Sequence, residues 1–266
     1  MHFLLISDPS DPRLDDYRNV PDAELVQRRG LFVAEGRLVV RRLLTGSPLK
    51  ARSVMVTKAA RASLADLLGA RPDVPVYVVP PDVMNGVTGF NIHRGCLAIG
   101  GRPAPGSWRE LATGDPRLLV VLERVGNADN VGGVFRNAAA FGAGAVLLDG
   151  ASADPLYRKA IRTSMGAALV VPFARAAPWP EALRELRGLG VATVALTPAS
   201  SAVPVASVAE TVGPRPVALV LGHEGDGLTE AALEACEYHA RIPIASRVDS
   251  LNVAAAAGIA LYAFSR

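Results

Sequence analysis

The stretch that most constrains the fold is residues 217–264, VALVLGHEGDGLTEAALEACEYHARIPIASRVDSLNVAAAAGIALYAF. An aliphatic run enters a glycine-rich acidic turn, followed by a helix and a second short strand. A polar turn, Asp249-Ser250-Leu251-Asn252, then opens a final helix that is apolar on nearly every face. Five aliphatic residues in a row leave no polar face for water, so Val217–Leu221 belongs in a parallel sheet covered on both sides. The last helix should be buried for the same reason. Two polar turns held at the ends of buried elements are how an α/β protein presents backbone groups to a ligand.

The same punctuation recurs upstream. Leu118–Leu122 and Ala145–Leu148 read as buried strands, joined by a helix over 131–141. Strands at 169–173 and 191–196 flank a helix over 180–189, and Asp154-Pro155 starts a helix that stops near Gly166. Before residue 100 come a polar loop with a short helix over 7–30 and strands at 30–36, 53–57, 74–79 and 95–99. Helices are expected over 37–44, 58–68 and from Pro81. The fold class is therefore α/β in two parts: a small α/β domain over 1–102, a Pro/Gly linker over 103–114, and a parallel-sheet domain over 115–266.

Half of the 266 residues are apolar, enough for a substantial core. The net charge of +3 is small, but almost all the basic residues are Arg. Arg suits phosphate recognition; a GC-rich coding sequence yields the same bias together with abundant Ala, Gly and Pro. Cys96 and Cys236 lie far apart, the start MHFLLISDPSD lacks a signal-peptide pattern, and no run of eighteen apolar residues occurs. The expectation is a cytoplasmic protein with reduced thiols and no membrane span.

Candidate sites each have a structural alternative. Gly222-His223-Glu224-Gly225-Asp226-Gly227 follows a strand and precedes a helix, but is neither GxGxxG nor a P-loop. Its acidic residues disfavour phosphate and favour hydroxyls, an amine or a cationic centre; alternatively it is a glycine turn only. Asn130 is placed to cap the helix that follows it, or to serve a site. Arg136 sits on a helix of Val, Phe and Ala, either snorkelling to water or offering a guanidinium to a phosphate or carboxylate. Ser250 or Asn252 caps the last helix or lines a site. Arg158, Lys159 and Arg162 are phosphate contacts or a solvated helix face. His93 and Arg94, in a loop beside Phe90, either touch RNA or mark a strand entry. No zinc spacing accompanies Cys236 and His239, and Ser164 lacks a nucleophile elbow, so no metal is expected.

Taken together, three segments resemble the motifs of the SpoU/TrmH-type RNA ribose 2'-O-methyltransferases of the SPOUT superfamily. They are ERVGNADNVGGVFRNAAAFGAGAVLL, LVLGHEGDGL and IPIASRVDSLNVAAAAGIALY, in order, within residues 115–266. The family's Asn and Arg are matched by Asn130 and Arg136, its invariant Glu by Glu224, and its polar pair by Ser250 and Asn252. His223 departs from the Asn or small residue often found there. Residues 20–100 resemble, more loosely, the ribosomal-protein-like RNA-binding domain often fused ahead.

The resemblance implies a deep C-terminal trefoil knot that holds S-adenosylmethionine on Leu221, Gly222, Ile242, Pro243 and Leu251. It also implies a homodimer formed through the knotted domain, in which Asn130 and Arg136 of one subunit help complete the other's site. The implied reaction is methyl transfer to a ribose 2'-hydroxyl in RNA, with ribosomal RNA favoured over tRNA by the extra N-terminal domain. An antibiotic-resistance subclass, an inactive RNA-binding homologue and a nucleotide-binding oxidoreductase are the rivals; the last lacks GxGxxG.

Overall fold

A computed structural model describes every residue except 1, 2, 19, 20, 90, 91, 93, 94, 115 and 266. His93 and Arg94 thus lie outside the described residues. The chain forms two units. One takes in the chain up to Ala104 together with Leu156–Val170; the other takes in Pro105–Pro155 and the chain from Val171 onward.

The first unit is built on a five-stranded sheet of β1 (Phe3–Leu5), β2 (Leu31–Glu35), β3 (Ala51–Val56), β4 (Val76–Val78) and β5 (Cys96–Gly101), in the order β1-β4-β3-β5-β2. β5 runs antiparallel to both β2 and β3. The segment Leu156–Val170 is stapled onto this unit by polar contacts. The Arg158 backbone N–H donates to Asp22 at 3.0 Å, the Arg42 guanidinium donates to the Met165 carbonyl at 3.1 Å, and Ser47 donates to the Leu169 carbonyl at 2.5 Å. This explains why the strand expected at 169–173 is displaced. Ala167–Leu169 is a short helical turn, and the strand is β8 (Phe173–Arg175).

The second unit carries a seven-stranded, all-parallel sheet. Its strands are β6 (Leu118–Leu122), β7 (Ala145–Leu148), β8, β9 (Ala192–Leu196), β10 (Val203–Pro204), β11 (Val217–Leu221) and β12 (Tyr238–Arg241). The order is β10-β12-β9-β11-β6-β7-β8. β6, β7 and β11 are buried at every residue, as aliphatic runs in a sheet covered on both faces must be. The chain lays down β6, β7 and β8 in one direction and then moves to the other side of β6. β11 is inserted between β9 and β6, and β12 between β10 and β9. The reversal makes a crevice at the carboxyl ends of the central strands, the usual ligand position in such sheets.

Half of the stretch expected to be linker, 103–114, is helical. Ser107 caps a helix over Trp108–Thr113, and Trp108 is buried and donates to the Ala177 carbonyl at 3.2 Å. A lone Trp among Pro and Gly was an anchor here, because a large apolar ring gains more by burial than a loop gains by staying free. β10 and the helix Val205–Val212 were not expected, since two residues of strand carry no periodic signal.

Two helices pack parallel and in step, Ala128–Ala140 and Val253–Phe264. Gly133 meets Ala254, Asn137 donates to the Ala254 carbonyl at 2.6 Å, and the Phe141 ring meets the Tyr262 ring edge-on at 6.1 Å. A Cβ on Gly133 would lie 2.6 Å from that of Ala254, so only glycine permits this approach. The consequence is that both helix N-termini arrive together. The last helix is expected to be buried between layers or at an interface; within the chain it leaves Ile259 and Tyr262 exposed.

Both cysteines are buried, and burial pushes each thiol up to about 12. A raised thiol pKa keeps the unreactive protonated form, so at pH 8 neither should be a nucleophile. Iodoacetamide at that pH should spare both in the native protein and label both after denaturation. Prompt labelling of either native thiol contradicts this.

Candidate active site

Asn130 does not cap its helix. The helix starts at Ala128, and Asn127 is the cap, its Oδ1 accepting from the Asp129 N–H at 2.9 Å. Asn130 therefore falls in the first turn with its amide free for other partners. Its Nδ2 donates to Glu224 Oε1 in a short hydrogen bond, and its Oδ1 accepts from Asn252 Nδ2 at 2.8 Å. Asn252 is the cap of the last helix, its Oδ1 accepting from the Ala254 and Ala255 N–H groups at 3.0 and 3.3 Å. The orientations follow from one another. The helix takes the Asn252 oxygen, so its nitrogen must donate to Asn130, whose own nitrogen is left to face a carboxylate, which only accepts. Capping and site duty are thus joined in Asn252.

Glu224 is exposed, on the turn between β11 and the helix Glu230–Ala235. The turn closes on itself: the His223 N–H donates to the Gly227 carbonyl at 3.1 Å and the Gly227 N–H returns the bond at 3.0 Å. A Cβ on Gly222 would sit 2.4 Å from the carbonyl carbon of Gly227 and 2.5 Å from the Leu228 nitrogen. The turn can fold back this tightly only over glycine. Arg124, at the other side, donates to Asp226 at 3.1 Å.

Beside this turn lies an open cleft with about 730 Å³ of empty space, counting its mouth. That size suits a small-molecule site. It sits at the carboxyl ends of β9, β11 and β12. Leu221, Gly222, Ile242, Leu251 and Val253 give it an aliphatic wall; Thr197, His223, Glu224 and Ser250 supply polar groups. Of the residues expected to hold a cofactor, only Pro243 is not among the lining; it is exposed beside Ile242. The wall can take a flat heteroaromatic ring, while the hydroxyls and Glu224 suit a ribose and a positive centre. Among the described residues, no Lys or Arg lines the cleft.

Arg136 is exposed and has no hydrogen-bond or ion-pair partner among the described residues. The structure thus joins Asn130, Glu224 and Asn252, sets Ser250 on the cleft wall, and leaves Arg136 reaching into solvent. The three candidate phosphate contacts on one helix of the first unit differ in exposure. The Arg158 guanidinium comes within 4.0 Å of Glu35, whereas Lys159 and Arg162 lie exposed on the helix Arg158–Thr163. Among the described residues no group of three or more His, Cys, Asp or Glu is placed to hold a metal ion, and no helix is long and apolar enough to cross a membrane.

Glu123, at the edge of the site, is a further functional residue. This carboxylate is only 1% exposed at the end of β6 and accepts three hydrogen bonds. They come from Trp179 Nε1 at 2.7 Å, the Thr229 N–H at 2.8 Å and the Thr229 hydroxyl at 2.8 Å. Glu123 so ties the far end of the glycine turn to the central strand. An acid directly after five aliphatic residues was the available signal, since a carboxylate there must find partners. Glu123→Ala, which strands those donors, is expected to lose about 3 kcal/mol in denaturant unfolding. Glu123→Gln, with one acceptor oxygen left, should lose about half as much; equal stability of all three forms contradicts the clasp.

A model of the SpoU rRNA Methylase family matches residues 117–262. An uncharacterized tRNA/rRNA methyltransferase of Mycobacterium tuberculosis is 42% identical over 267 residues, covering 98% of this chain and 91% of the relative. An AdoMet-bound rRNA methyltransferase from Sinorhizobium meliloti has a TM-score of 0.81 at 28% identity, covering 98% of this chain and 97% of that one. A structure described as an RNA 2'-O ribose methyltransferase has a TM-score of 0.80 at 25% identity, covering 98% of each chain. The chain belongs to the SpoU rRNA methylase family, whose region spans the parallel sheet and all three polar turns.

Proposed function

We propose that this chain transfers a methyl group from S-adenosylmethionine to a ribose 2'-hydroxyl of RNA, with ribosomal RNA as the substrate. The observation that carries the reading is the chain of hydrogen bonds Asn252–Asn130–Glu224 beside the aliphatic cleft. The AdoMet-bound and 2'-O ribose methyltransferase relatives support the cofactor and the reaction. The α/β unit ahead of the methylase region supports a large RNA.

The cofactor, when bound, supplies an electrophilic methyl group. Leu221, Gly222, Ile242 and Leu251 hold its adenosine part, with Pro243 shaping the turn next to Ile242. Glu224, fixed by Asn130, orients the target ribose; Asn252 holds Asn130 and Ser250 hydrogen-bonds within the cleft. Arg136 stays protonated and offsets the negative charge that develops on the 2'-oxygen or its neighbouring phosphate. Lys159, Arg162, His93 and Arg94 contact RNA, while Arg158 chiefly anchors its own segment.

Two copies pair through the helices Ala128–Ala140 and Val253–Phe264. In support, an apolar groove along them is lined by Phe141, Ile259 and Tyr262, and the last two are exposed. Arg136, on the first of these helices, then serves the partner's site, whereas Asn130 serves its own chain's Glu224. The late insertion of β11 and β12 between earlier strands supports the trefoil knot. Mapping 2'-O-methyl groups in ribosomal and transfer RNA from a deletion strain and its parent tests the substrate. Loss of one ribosomal site is expected. Loss of a tRNA site makes it a tRNA enzyme, and loss of none makes it an RNA-binding homologue.

A further inference from the structure

His223 has its tautomer dictated by the turn it sits in. Its Nδ1 accepts from the Gly225 N–H at 3.0 Å and from the Asp226 N–H at 3.1 Å. A ring nitrogen that accepts two N–H groups carries no proton, so the neutral ring holds its proton on Nε2. Nε2 has no hydrogen-bond partner among the described residues, and the residue lines the cleft. The hydroxyls of Thr197 and Ser250 can donate or accept. The His223 imidazole is the one lining side chain, among the described residues, that must donate.

We propose that His223 Nε2–H is the donor for the carboxylate of the cofactor's amino-acid end, and so a specificity-determining residue; this rests on the cleft being the S-adenosylmethionine site. Among the described residues no Lys or Arg lines the cleft, and Glu224 and Asp226 flank His223 as acids, so a carboxylate there depends on neutral donors to offset their repulsion; a donor to a charged acceptor is the stronger kind. One ring then performs two tasks. Nδ1 shapes the turn that presents Glu224, and in doing so forces Nε2 to face the ligand as a donor.

Calorimetry on the full chain with S-adenosylmethionine and with decarboxylated S-adenosylmethionine tests this, using the wild type, His223→Asn and His223→Ala. Asparagine can still accept from the backbone N–H two residues on, so it keeps the turn, while its amide N–H groups, on a shorter side chain, stop short of where the ring Nε2–H reaches. His223→Asn should bind S-adenosylmethionine about 10–100-fold more weakly, and the decarboxylated ligand within about twofold of wild type. His223→Ala should weaken both, because the turn itself loosens. Equal loss of both ligands in His223→Asn, or loss of neither, overturns the donor role. Wild-type protein that binds neither ligand overturns the assignment of the cleft instead.

Discussion

Methyl transfer by the Arg136→Ala variant is expected to fall about 10²–10³-fold, the range for removing one charge-stabilising donor from a transition state. S-adenosylmethionine affinity should stay within about twofold, since Arg136 does not line the cleft. Stability should change by no more than about 0.5 kcal/mol, because the side chain is exposed and makes no polar contact among the described residues. The combination distinguishes chemistry from folding: incorporation of labelled methyl into RNA falls, while calorimetric binding and the unfolding midpoint do not. A ribose 2'-hydroxyl is a weak acid, so negative charge builds on its oxygen before the new bond is complete, and a guanidinium that never loses its proton is suited to meet it. Wild-type activity in the variant removes Arg136 from the reaction.

Gly222→Ala should be damaging in a different way. The added methyl would lie 2.4–2.5 Å from Gly227 and Leu228 backbone atoms, none of which can swing aside as a side-chain tip does. The turn must open, which separates the His223–Gly227 backbone pair and moves Glu224 away from Asn130. The expected cost is about 1–3 kcal/mol of stability. S-adenosylmethionine affinity should fall on the order of 100-fold, as expected when a site is misplaced by about 1 Å. Gly150→Ala is the matched control, since a Cβ there meets nothing within 4 Å. It should bind and unfold like the parent. Normal binding by Gly222→Ala means the turn is not the cofactor's support.

The parallel sheet was legible because buried strands announce themselves: LLVVL, AVLL and VALVL have no polar face to give to water. The three polar turns were legible as motifs, each adjoining such a run. The polar roles within them were less so. Asn130 looked like a cap because it precedes the longest apolar part of its helix, yet Asn127 caps and Asn130 reaches Glu224, 94 residues away in sequence. Glu123 is silent in the sequence because its donors, Trp179 and Thr229, are 56 and 106 residues distant. Trp108 reads as linker in the sequence because its hydrogen-bond partner, the Ala177 carbonyl, lies 69 residues away. Leu156–Val170 reads as part of the methylase region, but its polar contacts are with the first unit.

The sequence by itself determined the α/β class, the buried strands, the family and the residue types at the site. Those depend on local composition and on spacing along the chain. Only the tertiary structure decided that Asn252, Asn130 and Glu224 form one hydrogen-bonded chain and that His223 must donate through Nε2. It also decided that Arg136 stands free of partners among the described residues. Each of these depends on which donor meets which acceptor across the fold, and a hydrogen bond is fixed by distances of about 3 Å in space that spacing along a chain does not specify.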